Sequence, residues 1–209
     1  MALVLSKHDL ERGRIKFLNG LKEKIFVYPT DTIYGLGCNA QDEELVERLR
    51  ELKEQFARPL SVIPPSLAWV RKNCVMNPLA RSWLSRLPGP YTLVLKLKKR
   101  AVAQNVDLGT NKLGVRFPNH WFGDWVKETG VPMVTTSVNH LGGGFMTSLD
   151  NMSVKIKKGV DWIIYDGELK GRPSTIVDVS LHEKKKMVYL RKTTKINPEN
   201  EKEMEENEN

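Results

Sequence analysis

Cysteine is nearly absent. Only Cys38 and Cys74 carry a thiol, and they stand in no CxxC pattern, which excludes a disulfide framework and a thiolate zinc site. The four histidines, at 8, 120, 140 and 182, are scattered without a ligand-spaced partner, so no protein-held metal is expected. No apolar run reaches the roughly 20 residues that a spanning helix needs. The opening MALVLSKHDLERGR turns charged too soon for a signal peptide. A soluble, cytoplasmic protein without a membrane partner is the expectation.

Two nucleotide-binding devices are also wanting. The triple glycine at 142–144 has no Gly-Lys-Ser/Thr after it, so it is no Walker loop. GLGCNA (35–40) fits G-x-G-x-x-A, but in a dinucleotide fold those glycines turn directly off a strand into a helix. Here Pro29-Thr30-Asp31-Thr32 intervenes, and the next helix signal comes only at Asp42. A bound triphosphate would then rest largely on side-chain cations.

What is present begins with charge. The net charge is +8, yet residues 198–209 (PENEKEMEENEN) hold six glutamates and one lysine, a net of −5. The rest carries 32 basic and 19 acidic residues, a net of +13. That excess suits polyanions such as tRNA, double-stranded RNA or ATP, although a solvated lysine-rich surface has the same composition. With 40% hydrophobic residues and a length of 209, one domain over 1–197 is expected. The tail, 198–209, lacks apolar periodicity and is expected to be disordered.

Apolar spacing predicts helices over 7–20, with Gly20 as the stop, and over 43–54, capped by Asp42. Further helices are expected over 78–86, opened by Asn77-Pro78, over 120–129, capped by Asn119 and ended by Gly130, and over 148–158. Strand patterns run through IFVYP, LSVIPP, YTLVLKLKK, LGVRFP, VPMVTTSV, DWIIYD, STIVDV and MVYLR. This alternation predicts an α/β fold with a twisted, mixed parallel and antiparallel sheet flanked by helices. Polar residues recur at the strand ends: Thr30-Asp31-Thr32, Arg116, Thr135 to Ser137 and Asn139, Ser174 and Thr175, and Arg191. Singly each is a cap or turn residue. Together they suit a pocket at the strand ends of an open sheet.

Six segments then stand in one order: YPTDTIYGLG, LKEQFARPLSV, LPGPYTLVL, GVRFP, TTSVN and PSTIVDVS. On these, residues 8–193 resemble the YrdC family of threonylcarbamoyl-adenylate synthases, in a short single-domain form. The resemblance implies a concave basic face on the sheet. It also implies an enzyme, a nucleotidyltransferase, that makes threonylcarbamoyl-AMP from L-threonine, bicarbonate and ATP and releases pyrophosphate. A partner transferase would pass the threonylcarbamoyl group to the adenosine beside the anticodon of tRNA. By the same resemblance Thr32, Arg116, Ser137 and Ser174 would meet threonine. Lys53, Arg58, Asn139, Thr147 and Arg191 would meet ATP, with Lys53 and Arg58 neutralising phosphates and Mg²⁺ held mainly through those phosphates.

One segment departs from the pattern. In LKEQFARPLSV, Gln55 stands where the family has arginine and Phe56 where it has proline, and the segment is one residue short. Lys112, near a usual threonine, is the candidate to supply the missing charge. The departure also leaves a second reading open: a YrdC-fold RNA-binding or complex-forming protein with weakened chemistry.

Overall fold

The computed structural model describes residues 2–139 and 144–180, and the backbone of 188–191. A ten-stranded sheet runs through it. The strands are β1 (Leu3–Leu5), β2 (Phe26–Tyr28), β3 (Gly35–Gly37), β4 (Ser61–Ile63), β5 (Tyr91–Lys96), β6 (Lys112–Val115), β7 (Met133–Ser137), β8 (Trp162–Ile164), β9 (Thr175–Asp178) and β10 (Val188–Arg191). Their spatial order is β1-β8-β2-β3-β7-β4-β6-β5-β9-β10. Parallel pairs (β1 with β8, β4 with β6, β5 with β9) mix with antiparallel ones such as β2 with β3 and β5 with β6. This is the mixed α/β sheet that the pattern predicts.

The helices are α1 (Lys7–Arg12), α2 (Arg14–Glu23), α3 (Glu43–Lys53), α4 (Leu67–Asn73), α5 (Pro78–Leu84), α6 (Gln104–Asp107), α7 (Phe122–Thr129) and α8 (Val154–Gly159). Local chemistry explains several ends. Asp42 accepts the Leu45 amide at 3.0 Å and starts α3. Asn77 accepts the Ala80 amide at 2.7 Å ahead of Pro78 in α5. Gly130, at φ +72°, ends α7 in the left-handed region.

Other expectations fail for identifiable reasons. The helix expected over 7–20 breaks at Gly13, and its second half runs on to Glu23. Gly20 is no stop: it lies under Trp162, whose ring occupies the space that a side chain would need. Asn119 does not cap α7, which begins after Trp121 with no side-chain cap. The helix expected over 148–158 shortens to α8, capped by Ser153. GLGCNA is no phosphate turn, since Gly35–Gly37 is the strand β3. The triple glycine at 142–144 lies outside the described residues except for Gly144, and the whole tail 198–209 lies outside them. Among the described residues, no helix is long and apolar enough to cross a membrane.

Successive residues of a strand face opposite sides, and the two faces of this sheet are treated differently. Val27, Leu36, Val62, Leu93, Val115, Val134 and Val177 point to one face, in the large apolar cluster shared with α3, α5 and α8. Phe26, Tyr28, Ile63, Met133, Trp162 and Ile164 point to the other, under α1, α2 and α7. These helices cover only part of that second face. Beyond Ile63 and Met133 the same face carries Ser61, Thr92, Arg116, Thr135, Ser137 and Ser174, and there it is hollow.

Candidate active site

The hollow has a volume of about 430 Å³. It gathers five of the nine residues singled out from sequence: Arg58, Arg116, Ser137, Asn139 and Ser174. A larger hollow, of about 720 Å³, opens beyond Ile63 and Phe117. Prolines, leucines and aromatic rings make up much of its wall, and it lacks the paired arginines and clustered hydroxyls of the smaller one. Size therefore does not pick out the chemistry; convergent polar groups do.

Arg116 follows β6 and is 6% exposed. One of its terminal nitrogens, Nη2, donates to Asp31 Oδ1 at 2.6 Å and Thr32 Oγ1 at 2.7 Å, and reaches Thr30 Oγ1 at 3.4 Å. The loop after β2 is set for this. Thr30 Oγ1 accepts the Thr32 amide at 3.1 Å and donates to Ile33 O at 2.7 Å, a compact hydroxyl turn. Thr32 thus touches Arg116 from behind the cavity wall and does not line it. Arg116 Nε is buried without a partner. Such an orphan donor costs roughly 1–3 kcal/mol, so the guanidinium is only partly satisfied by the protein's own groups.

On the far wall, Ser137 Oγ donates to Asn139 Oδ1 at 2.5 Å. Lys53, 2% exposed at the end of α3, donates to Ser137 O, to Asn139 O at 3.1 Å and to Asn139 Oδ1 at 3.3 Å. Burial pulls its pKa down to about 8. Lys53 does not line the cavity; it holds the end of β7 that does. Ser174 Oγ lies 2.8 Å from Thr92 Oγ1 across β9 and β5.

Thr147 stands outside the cavity wall, bonded to the side chain of Asn151. Arg191 lies on β10, and its side chain is not among the described ones. Lys112 does not supply the missing charge to the cavity. It sits at the opposite end of β6 from Arg116 and pairs with Asp178 at 3.0 Å. Gln55, where the family pattern has arginine, does line the cavity, so a charge is absent from the wall itself.

Sequence reasoning missed three contributors. Arg50, 2% exposed, has Nη1 on the carbonyls of Gln55 at 2.8 Å and Arg58 at 3.1 Å, and Nε on Asn105 O at 2.7 Å. It shapes the loop that carries Arg58, but in sequence it reads as one charge among many on α3. Phe145, 39% exposed, presents a ring to a mostly polar cavity. Thr92 had a visible signal, a hydroxyl among apolar residues in YTLVL.

The family model of Sua5, YciO and YrdC proteins, described as "Telomere recombination", matches residues 21–193. A Methanocaldococcus jannaschii protein named "Putative threonylcarbamoyl-AMP synthase" is 33% identical over 177 residues, which are 83% of this chain and 81% of that one. Sua5 of Pyrococcus abyssi, solved in complex with L-threonine, superposes with a TM-score of 0.78 at 28% identity. That match covers 91% of this chain and 57% of Sua5, so the chain spans little more than half of that protein. Escherichia coli YciO shares the fold, with a TM-score of 0.78 at 24% identity over 95% of its length.

Proposed function

Because the chain belongs to the Sua5/YciO/YrdC family, we propose that it makes threonylcarbamoyl-AMP from L-threonine, bicarbonate and ATP, releasing pyrophosphate. It is thus an adenylyl-transferring enzyme that serves threonylcarbamoyl modification of tRNA. The observation that carries this reading is one cavity with two unlike ends. By strand register Arg116, backed by Thr30, Asp31 and Thr32, falls beside Val62 and Ile63, level with Met133, while Ser137 and Asn139 lie past Thr135 and Arg58 lies before Ser61, toward the other end.

The geometry suits the chemistry. A planar guanidinium takes a carboxylate through two nitrogens. With Nη2 turned to Asp31 and the hydroxyls of Thr30 and Thr32, Nη1 and Nε are the donors left for the amino-acid carboxylate. The threonine amine and bicarbonate give a carbamate, with loss of water. A carbamate oxygen then attacks the α-phosphorus of ATP, and the bond to the departing pyrophosphate breaks. That step needs alignment and cations more than a protein nucleophile. Arg58 lines the cavity and is the residue assigned to the phosphates, and Lys53 acts one step back by fixing Ser137 and Asn139. Among the described residues no three His, Cys, Asp or Glu side chains gather as metal ligands. Mg²⁺ is accordingly assigned to the ATP phosphates, whose charge it would neutralise.

A second reading has its own observation. Gln55 leaves one cation fewer on the wall, which favours a YrdC-fold complex-forming or RNA-binding protein with slowed chemistry. Incorporation of labelled bicarbonate into a threonine- and ATP-dependent product separates the two. Turnover supports the synthase, and its absence alongside ligand binding supports the second reading.

A further inference from the structure

Segment 166–173 leaves β8 and crosses behind the amino-acid end of the cavity before β9 begins. Its start is pinned from several sides. Trp121 Nε1 donates to Asp166 Oδ2 at 2.6 Å, and His120 Nε2 lies 3.5 Å from the same oxygen. Tyr34 Oη accepts the Asp166 amide at 3.0 Å and donates to Gly167 O at 2.6 Å. Farther on, the Leu169 amide donates to Thr147 O at 2.9 Å. Past Pro173, Ser174 meets Thr92.

Between these anchors Gly171 lies on the Thr32 peptide. A methyl group at Gly171 would stand 1.8 Å from Thr32 O, 2.5 Å from its carbonyl carbon and 2.7 Å from its Cα. All three are backbone atoms, which cannot swing aside as a flexible side chain does. The contact therefore requires glycine here, although the residue is exposed on its other side. Thr32 is the residue whose Oγ1 receives Arg116.

We propose that 166–173 is a strap and that Gly171 is a positioning residue for the amino-acid site. Pressed against the Thr32 peptide, it keeps Thr32 Oγ1 on Arg116 and so fixes the guanidinium for a carboxylate. Tyr34 is the pin that holds the strap down. The assignment of threonine to this end rests on the function proposed above; the mechanical role of the strap does not.

Two measurements on the full chain test it. Trypsin cleavage after Lys170, followed by mass spectrometry, reads the strap without any ligand. Gly171→Ala should be cut at least fivefold faster there than the wild type, and Tyr34→Phe should also be cut faster. Calorimetric titration with L-threonine and initial rates of pyrophosphate release read the site. Gly171→Ala should raise the threonine Kd and KM tenfold or more and leave the ATP KM within twofold. If Gly171→Ala fails to fold, Tyr34→Phe carries the test, with a threonine KM that rises more than its ATP KM. Unchanged cleavage after Lys170, or equal losses for both substrates, overturns the strap. Faster cleavage with a wild type that binds no threonine supports the strap and overturns the substrate assignment instead.

Discussion

Two halves of one sheet face end in opposite chemistry within a single strand step. On β4, Ile63 packs into the cluster under α7 while Ser61, two residues earlier, lines the cavity. On β7, Met133 is in that cluster and Thr135 and Ser137 line the cavity. Tyr28 straddles the border: its ring stacks on Phe122 at 4.6 Å, and its hydroxyl donates to Thr135 at 2.5 Å. Covered positions gain by excluding water, while uncovered ones must satisfy polar groups or a ligand. The site is the part of the face that the helices leave bare.

That contrast can be broken from either side. Phe122→Ala removes the ring that closes the covered half, and should lower urea-unfolding stability by about 3–5 kcal/mol. A loss below about 1 kcal/mol would mean that this half is not held by packing. Arg116→Ala strikes the bare half. It should raise the threonine KM about a hundredfold, equivalent to about 2.7 kcal/mol, with the ATP KM nearly unchanged in the same assays.

Lys53 makes the wall of the bare half sensitive to pH. Its native pKa is about 8 against an ordinary 10.5, so between those values the unfolded chain binds more protons than the native one. Stability from this group therefore rises with pH over that window. Relative to Lys53→Met, the wild type should gain on the order of 2 kcal/mol in urea melts between pH 8 and pH 10. Phe145 precedes Met146, whose amide donates to Val138 O between Ser137 and Asn139, so Phe145→Ala should have the smallest effect, an ATP KM about tenfold higher, as for losing one stacked base. An equal rise in the threonine KM would remove the ring from the nucleotide end.

Sequence pattern reaches the fold where the signal is local. Asp42, Asn77-Pro78 and Gly130 act on their own helix ends, and strands such as β2 and β8 are continuous apolar runs buried on both faces, so both are visible in one dimension. It fails where a distant element decides. Gly20 stops nothing because Trp162 needs its space. Short elements such as α4, α6 and β1 have too few residues to show a period. In the site, Arg116, Ser137 and Asn139 are legible as polar strand ends that converge on one cavity. Lys53 is harder: nothing in ELKEQF says that its ammonium turns inward to carbonyls of β7 and the residues after it. Gly171 is harder still, because its role depends on a peptide in the loop after β2.

The most direct measurement is a crystal structure with L-threonine and a non-hydrolysable ATP analogue together. Both ligands should occupy the 430 Å³ cavity, with the threonine carboxylate on Arg116 and the nucleotide beside Arg58 and Asn139. Ligands bound in the larger apolar hollow, or a threonine that leaves Arg116 on Asp31 and Thr32 with Nε still bare, would contradict this placement.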